Sequence, residues 1–143
     1  MAFKWIILIM TFTLYYASAS ESIAIIKSVQ GEAFIKRNQS IITIHKGEDI
    51  LSSDIIQTKT NATVGLSFND GTLISVGPKS TLVIEEYLFD PYKSNYRFDL
   101  SLKKGTAAFE SGKIGKLAPE KVHFKVSQGV IGIRGTKFLV EAE

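Results

Sequence analysis

The feature that most constrains this chain is strict alternation. In "KVHFKVS" (121–127) Val122, Phe124 and Val126 fall on one side, and Lys121, His123, Lys125 and Ser127 on the other. In "YRFDLSL" (96–102) Tyr96, Phe98, Leu100 and Leu102 alternate with Arg97, Asp99 and Ser101. Successive side chains of a strand point to opposite faces, so this pattern builds a sheet with one apolar face. "SIAIIKS", "EAFIKR", "SIITIH", "ATVGLSF", "TLISV", "STLVIEE", "TAAFES" and "TKFLVEA" keep the habit. Nowhere do apolar residues recur at i, i+3, i+4 and i+7 over three turns, so no helix of length is expected. About a dozen short strands imply an all-β domain, either a compact sandwich or a solenoid-like β stack.

Between "ATVGLSF" and "TLISV" lies "NDG" (69–71), a hairpin signal of the primed-turn kind, which would put Val64, Leu66 and Phe68 on one face. The longest loops are expected at "FDPYKSN" (89–95) and "ESGKIGKLAPEK" (110–121), and the second reads as the most mobile excursion.

The chain opens with "MAFK", then the twelve apolar residues "WIILIMTFTLYY", then "ASA" at Ala17, Ser18 and Ala19. A basic start, an apolar run and a small-residue exit together read as a secretory signal peptide, 1–19, ahead of one β domain, 20–143. The run is too short to span a bilayer, so contact with a membrane is expected only through the signal peptide before cleavage. No cysteine occurs, which excludes disulfides and lipoprotein attachment and leaves hydrophobic burial to hold the domain together. The expected product is an exported chain of the periplasm or the extracellular space.

Charge is uneven. From Glu48 to Asp99 there are eight acids and four bases; from Lys103 to Lys137 there are eight bases and two acids. Such asymmetry can steer an anionic partner, although solvated strand ends explain most of these lysines.

Catalytic chemistry finds no foothold. His45 and His123 are the only histidines, short of the three or four ligands of a zinc site. Asp49, Asp54, Asp70 and Asp90 flank turns, where carboxylates cap backbone N–H groups. No serine sits in a G-x-S-x-G elbow. No enzyme, cofactor or metal is therefore expected. Phe34, Phe98, Phe109, Phe124 and Phe138 lie on apolar faces, so core packing explains them and nucleic-acid binding is not expected. "YLFDPY" (87–92) stands apart. Tyr87, Phe89 and Tyr92 crowd a proline-bearing segment that reads as a candidate interaction loop or as a cover on the end of the core.

"GVIGIRGTKF" (129–138) spaces glycines as G-x-x-G-x-x-G and runs on into a strand. Spacing, order and the missing helix all exclude a phosphate loop. The glycines fit two strands meeting at a bend, with Arg134 expected as a guanidinium satisfying carbonyls there. "GVIGIRGTKFLV" resembles the signature of the FecR-type domain. "VQGEAFIKR", "KGEDILSSDIIQTKTNATVGLSFNDGTLISVGPKSTLVI" and "LKKGTAAFES" resemble its other segments, so the likeness spans about residues 24 to 140.

The resemblance implies an exported, mostly β sensory domain without catalytic residues. It matches the family pattern at Gly47, Asp49, Asp70, Gly71, Gly105, Gly132, Arg134, Gly135 and Thr136, all expected to be structural. Relatives include iron-uptake regulators that pass an envelope signal to a sigma factor. The short start before Lys4 leads to the expectation that any such output lies in another chain. The reading is a sensory or protein-interaction module of the cell envelope, with an envelope protein or an anionic surface polymer as partner. The alternatives are a polymer- or carbohydrate-binding module, or the periplasmic part of an iron-responsive anti-sigma system. Near Thr136 to Val140 two alternatives stand: a sheet edge open to a partner strand, or an edge blunted by the polar Glu141 and Glu143.

Overall fold

The computed structural model describes residues 14–15, 20–132 and 136–143. Most of the expected signal peptide, and Arg134 and Gly135 of the glycine-rich bend, lie outside the described residues.

Among the described residues twelve strands form: β1 (Ala24–Gln30), β2 (Ala33–Arg37), β3 (Ser40–Thr43), β4 (Asp49–Ile50), β5 (Ile55–Thr58), β6 (Thr63–Phe68), β7 (Leu73–Val76), β8 (Thr81–Asp90), β9 (Asn95–Glu110), β10 (Val122–Val126), β11 (Gly129–Gly132) and β12 (Lys137–Ala142). The all-β expectation holds. Neighbours run β3-β2-β5-β8-β9-β7-β6-β1-β4, with β10 and β12 also joining β9, and β11 joining β10.

β9 makes this one curled sheet. Its first part pairs with β8 and, in parallel, with β10. Its last six residues pair with β7 and β12. The changeover falls at Gly105, whose φ is +91 and whose Cα packs against Ser80; a side chain there would strike the Ser80 backbone. Glycine allows both the left-handed backbone and the close approach that the corner needs. A register shift between Thr81 and Leu82 opposite this point adds to the bend.

The two halves close on a shared core. Ile26, Val64, Leu66, Phe68 and Val76 come from the β6 half; Ile35, Ile56, Leu82, Ile84 and Leu100 come from the β8 half. Val64, Leu66 and Phe68 share one buried face, as their alternation predicts. Aromatic rings run along the seam. Phe68 meets Tyr87 at 5.3 Å and Phe98 at 4.9 Å. Phe109 continues the row to Phe98 at 5.9 Å, to Phe124 at 6.2 Å and to Phe138 at 4.8 Å. Burying one such ring is worth about 1.5–3 kcal/mol, so this row is a main adhesive between the halves.

Three local expectations are corrected. The 69–71 turn is not a primed one: only Gly71 takes a positive φ (+87). Gly71 N donates to the Phe68 carbonyl and Phe68 N to the Thr72 carbonyl, closing a three-residue loop with a left-handed last residue. "FDPYKSN" is shorter as a loop than expected: residues 91–94 form a four-residue turn, because β8 and β9 run out as a hairpin to Asp90 and Asn95. Residues 110–121 are not an excursion. They hold a short helix α1 (Lys113–Leu117) and a 3-10 turn (Pro119–Lys121), and they bury Ile114 and Ala118. Five residues are too few for helical periodicity to register in a sequence, and tertiary bonds hold this helix in place.

Candidate interaction surface

Asp70 centres a buried polar knot beneath the 69–72 turn. Asp70 Oδ1 accepts from Tyr87 Oη at 3.0 Å and Oδ2 from Thr72 Oγ1 at 2.8 Å. Oδ2 also accepts the Ile114 N–H at 3.1 Å, and the Asp70 carbonyl accepts the Lys113 N–H at 2.8 Å. Gly112 N in turn donates to Thr72 Oγ1 at 3.1 Å. A side chain on Gly112 would collide with the backbone of Asp70, Gly71 and Thr72. One turn therefore clamps α1 to the sheet, and a carboxylate with only 1% exposure has its charge met by donors.

A second tie joins Arg37 to Asp54. Nε reaches Oδ1 at 2.9 Å and Nη2 reaches Oδ2 at 2.8 Å, a forked pair that closes β2 over the 51–54 turn. Asp54 Oδ2 also caps Leu51 N at 2.8 Å. The hydrogen bond to Asp54 raises the Arg37 pKa above its ordinary value.

A third set crosses the solvent face of β8, β9 and β10. Arg97 Nε lies 3.0 Å from Glu86 and 3.2 Å from Asp99; His123 Nδ1 donates to Asp99 at 2.8 Å; Lys125 Nζ donates to Glu85 at 2.8 Å. Burial, the largest single influence, pushes the Asp99 carboxyl up. The hydrogen bonds from His123 and Arg97, with their charges, outweigh it and hold the group below its ordinary value. His123 thus serves a cross-strand tie, and His45 is exposed beside Glu48 at 3.7 Å. Among the described residues no group of three His, Cys, Asp or Glu could hold a metal ion.

The other expected positions fall as follows. Gly47 turns the chain with φ +90 and bonds the Ile26 carbonyl at 2.8 Å. Asp49 accepts from Ser22 Oγ at 3.0 Å. Gly132 ends β11, and Thr136 offers its carbonyl to Ser111 N at 2.8 Å. The aromatic loop is corrected: Tyr87 and Phe89 lie in β8, Tyr87 is in the core and Phe89 stacks on Tyr96 at 6.0 Å. Of the three only Tyr92, in the turn, is fully exposed.

What the fold leaves open is a surface. A groove of about 520 Å³ runs over the solvent face of the β6 half. Strand register sets Ser28, Gly65, Ser75, Ala108 and Leu139 in one line across β1, β6, β7, β9 and β12. Small side chains form its floor, and Leu73 and Leu139 rise beside it, Leu139 being 72% exposed. A second groove of about 540 Å³ on the β8 half gathers Lys59, Lys79 and Lys104 with Phe34 and Ile41. Sequence reading missed both, since each draws single residues from strands far apart in the chain.

Fold and sites together define an all-β module whose buried carboxylates Asp54 and Asp70 tie the fold and whose open features are sheet faces and edges. The family model described as FecR protein matches residues 54–143, more than half of the chain, and the chain belongs to that family. The match begins at Asp54, so Gly47 and Asp49 lie ahead of it. No curated protein and no solved structure matches the chain. Among the described residues no helix is long and apolar enough to cross a membrane.

Proposed function

We propose that this chain is a non-catalytic interaction module of envelope signalling, which receives a partner protein on the solvent face of its β6 half. The observation that carries the reading is the groove from Ser28 to Leu139, where exposed Leu139 and half-buried Leu73 flank a floor of small residues. Membership of a regulatory family supports it. So does the commitment of Asp54, Asp70 and Asp99 to structural bonds, which leaves these buried carboxylates no general-base role. The signal-peptide pattern of residues 1–19 supports export, and Trp5 is the only tryptophan. Protein recovered from the exported fraction should therefore lack tryptophan emission.

A second reading, binding of an anionic surface polymer, is favoured by one observation: Lys59, Lys79 and Lys104 line one groove. Association there must weaken as salt is raised.

Envelope extract passed over immobilised protein tests the first reading. Ala108→Asp, which fills the groove floor with a charge, should lose the partner that wild type retains while melting at a similar temperature. Equal recovery by both would remove the groove from the account. Losses confined to lysine variants would favour the polymer.

A further inference from the structure

We propose that β12 pairs antiparallel with β12 of a second copy of this chain, with Leu139 facing its own counterpart across a two-fold axis. The inference goes beyond the groove reading and stands on the edge itself.

Among the described residues β12 pairs with β9 alone, so its other side is an open edge. Which backbone groups face outward follows from one bond. Ser111 N donates to the Thr136 carbonyl, and the register then runs without interruption from Lys137 opposite Glu110 to Ala142 opposite Gly105. In an antiparallel ladder, residues alternate between pointing their N–H and C=O groups at the partner and away from it. Thr136, Phe138, Val140 and Ala142 therefore point at β9. Lys137, Leu139 and Glu141 present theirs to the edge.

Those three residues are self-complementary. With Leu139 opposite Leu139, Lys137 faces Glu141 and Glu141 faces Lys137, so both charge pairs are opposite in sign and the exposed leucines cover each other. All facing residues have outward-pointing backbone groups, so about six hydrogen bonds form, two for each facing pair. On the inner face Phe138, half-buried in the single copy, comes to lie opposite Val140. Sliding two residues either way sets Leu139 against Lys137 or Glu141, and sliding one aligns inward-pointing groups with outward-pointing ones. One register satisfies charge, apolar cover and hydrogen bonding together. A two-fold pairing closes on itself and cannot propagate as a fibre. It also joins the two copies' β6 halves into one longer sheet carrying both grooves.

Lys137 lies 3.7 Å from Glu110 within the chain, but both ends of that contact are exposed and it is worth little. Pairing through one strand buries little area, so the dimer is weak, and micromolar or weaker dissociation is expected.

The test is sedimentation equilibrium on the purified product of the whole coding sequence, up to about 1 mM, a concentration that reaches dissociation constants of weak pairs. Lys137→Glu and Glu141→Lys each turn both cross-strand pairs into like charges, and each alone should weaken self-association by about tenfold. Mixed in equal amounts, the two variants restore opposite charges at both positions, so the mixture should associate about as well as wild type. Circular dichroism of each variant confirms that it remains folded, and recovery in the mixture is not open to a merely misfolded chain. A wild type that stays monomeric throughout overturns the proposal. So does a mixture no tighter than the single variants. A monomeric wild type whose edge amides gain protection only when another protein is added would give the edge to a foreign strand and overturn self-pairing, while leaving the groove reading intact.

Discussion

Tyr87 Oη donates to Asp70 Oδ1 at 3.0 Å and accepts the backbone N–H of that same Asp70 at 2.9 Å. Seventeen residues apart in sequence, the two groups join the tip of the β6–β7 hairpin to β8 and so bind one half of the curled sheet to the other. Asp70 then carries the bond on to Thr72 and the start of α1. Tyr87→Phe should cost about 1–3 kcal/mol of stability, because it leaves a buried donor and acceptor without this partner. Asp70→Ala should cost about 3 kcal/mol or more, since Thr72 and Ile114 also lose a charged acceptor. Urea denaturation of the two variants checks the order.

Gly112→Ala should destabilise far more than its small size suggests. The new methyl has only backbone to displace, at Asp70, Gly71 and Thr72, and cannot be relieved by a rotamer change. A loss of about 3 kcal/mol or more is expected, with α1 detached. Increased amide exchange at Ile114 and Ala118, ahead of global unfolding, is the measurement.

Acid stability should depend on Asp99. Its carboxyl is held below the ordinary value by His123 and Arg97 against the pull of burial. The stabilisation is therefore fully present above the unfolded value of about 3.9 and is lost as pH falls through the lower folded value. Asp99→Asn should be less stable than wild type at neutral pH, and the gap should close as pH drops below about 4. A gap that stays constant down to the acid transition would contradict this account.

At the alkaline end Tyr87 matters in the opposite sense. Burial, with the Asp70 charge beside it, pushes the phenol well above its usual value. The native state thus keeps a proton that the unfolded chain gives up, and stability is present below about pH 10 and declines above it. In an absorbance titration one tyrosine should ionise only with unfolding, and Tyr87→Phe should abolish that late step.

The sheet was legible because alternation is a local signal. "YRFDLSL" and "KVHFKVS" each mark an apolar face, and Phe98, Leu100, Leu102, Val122 and Phe124 are all in the core, although Asp99 and Ser101 opposite them on β9 are covered too. The capping role of Asp54 and Asp70 followed from turn chemistry. Illegible was anything that needs two distant segments. α1 exists because Asp70 and Thr72 hold its first amides, and nothing within "KIGKL" announces it. The nearness of Pro91 suggests a loop at Tyr87, yet the chain turns only after Asp90 and the tyrosine still faces inward.

From sequence the edge near Thr136 to Val140 is either open or blunted by Glu141 and Glu143, and its polarity is not legible at all. Only the Ser111–Thr136 bond fixes which residues face out. A proline at Val140 would break the ladder to β9, whereas one at Leu139 would block the edge.

Residue-resolved hydrogen exchange along β12, at low and high protein concentration, tests the account of this edge most directly. In dilute solution the amides of Phe138, Val140 and Ala142 should be protected and those of Lys137, Leu139 and Glu141 should exchange freely. In concentrated solution the second set should become protected as well. Equal protection of all six at every concentration, or free exchange of Leu139 where wild type is dimeric, would contradict it.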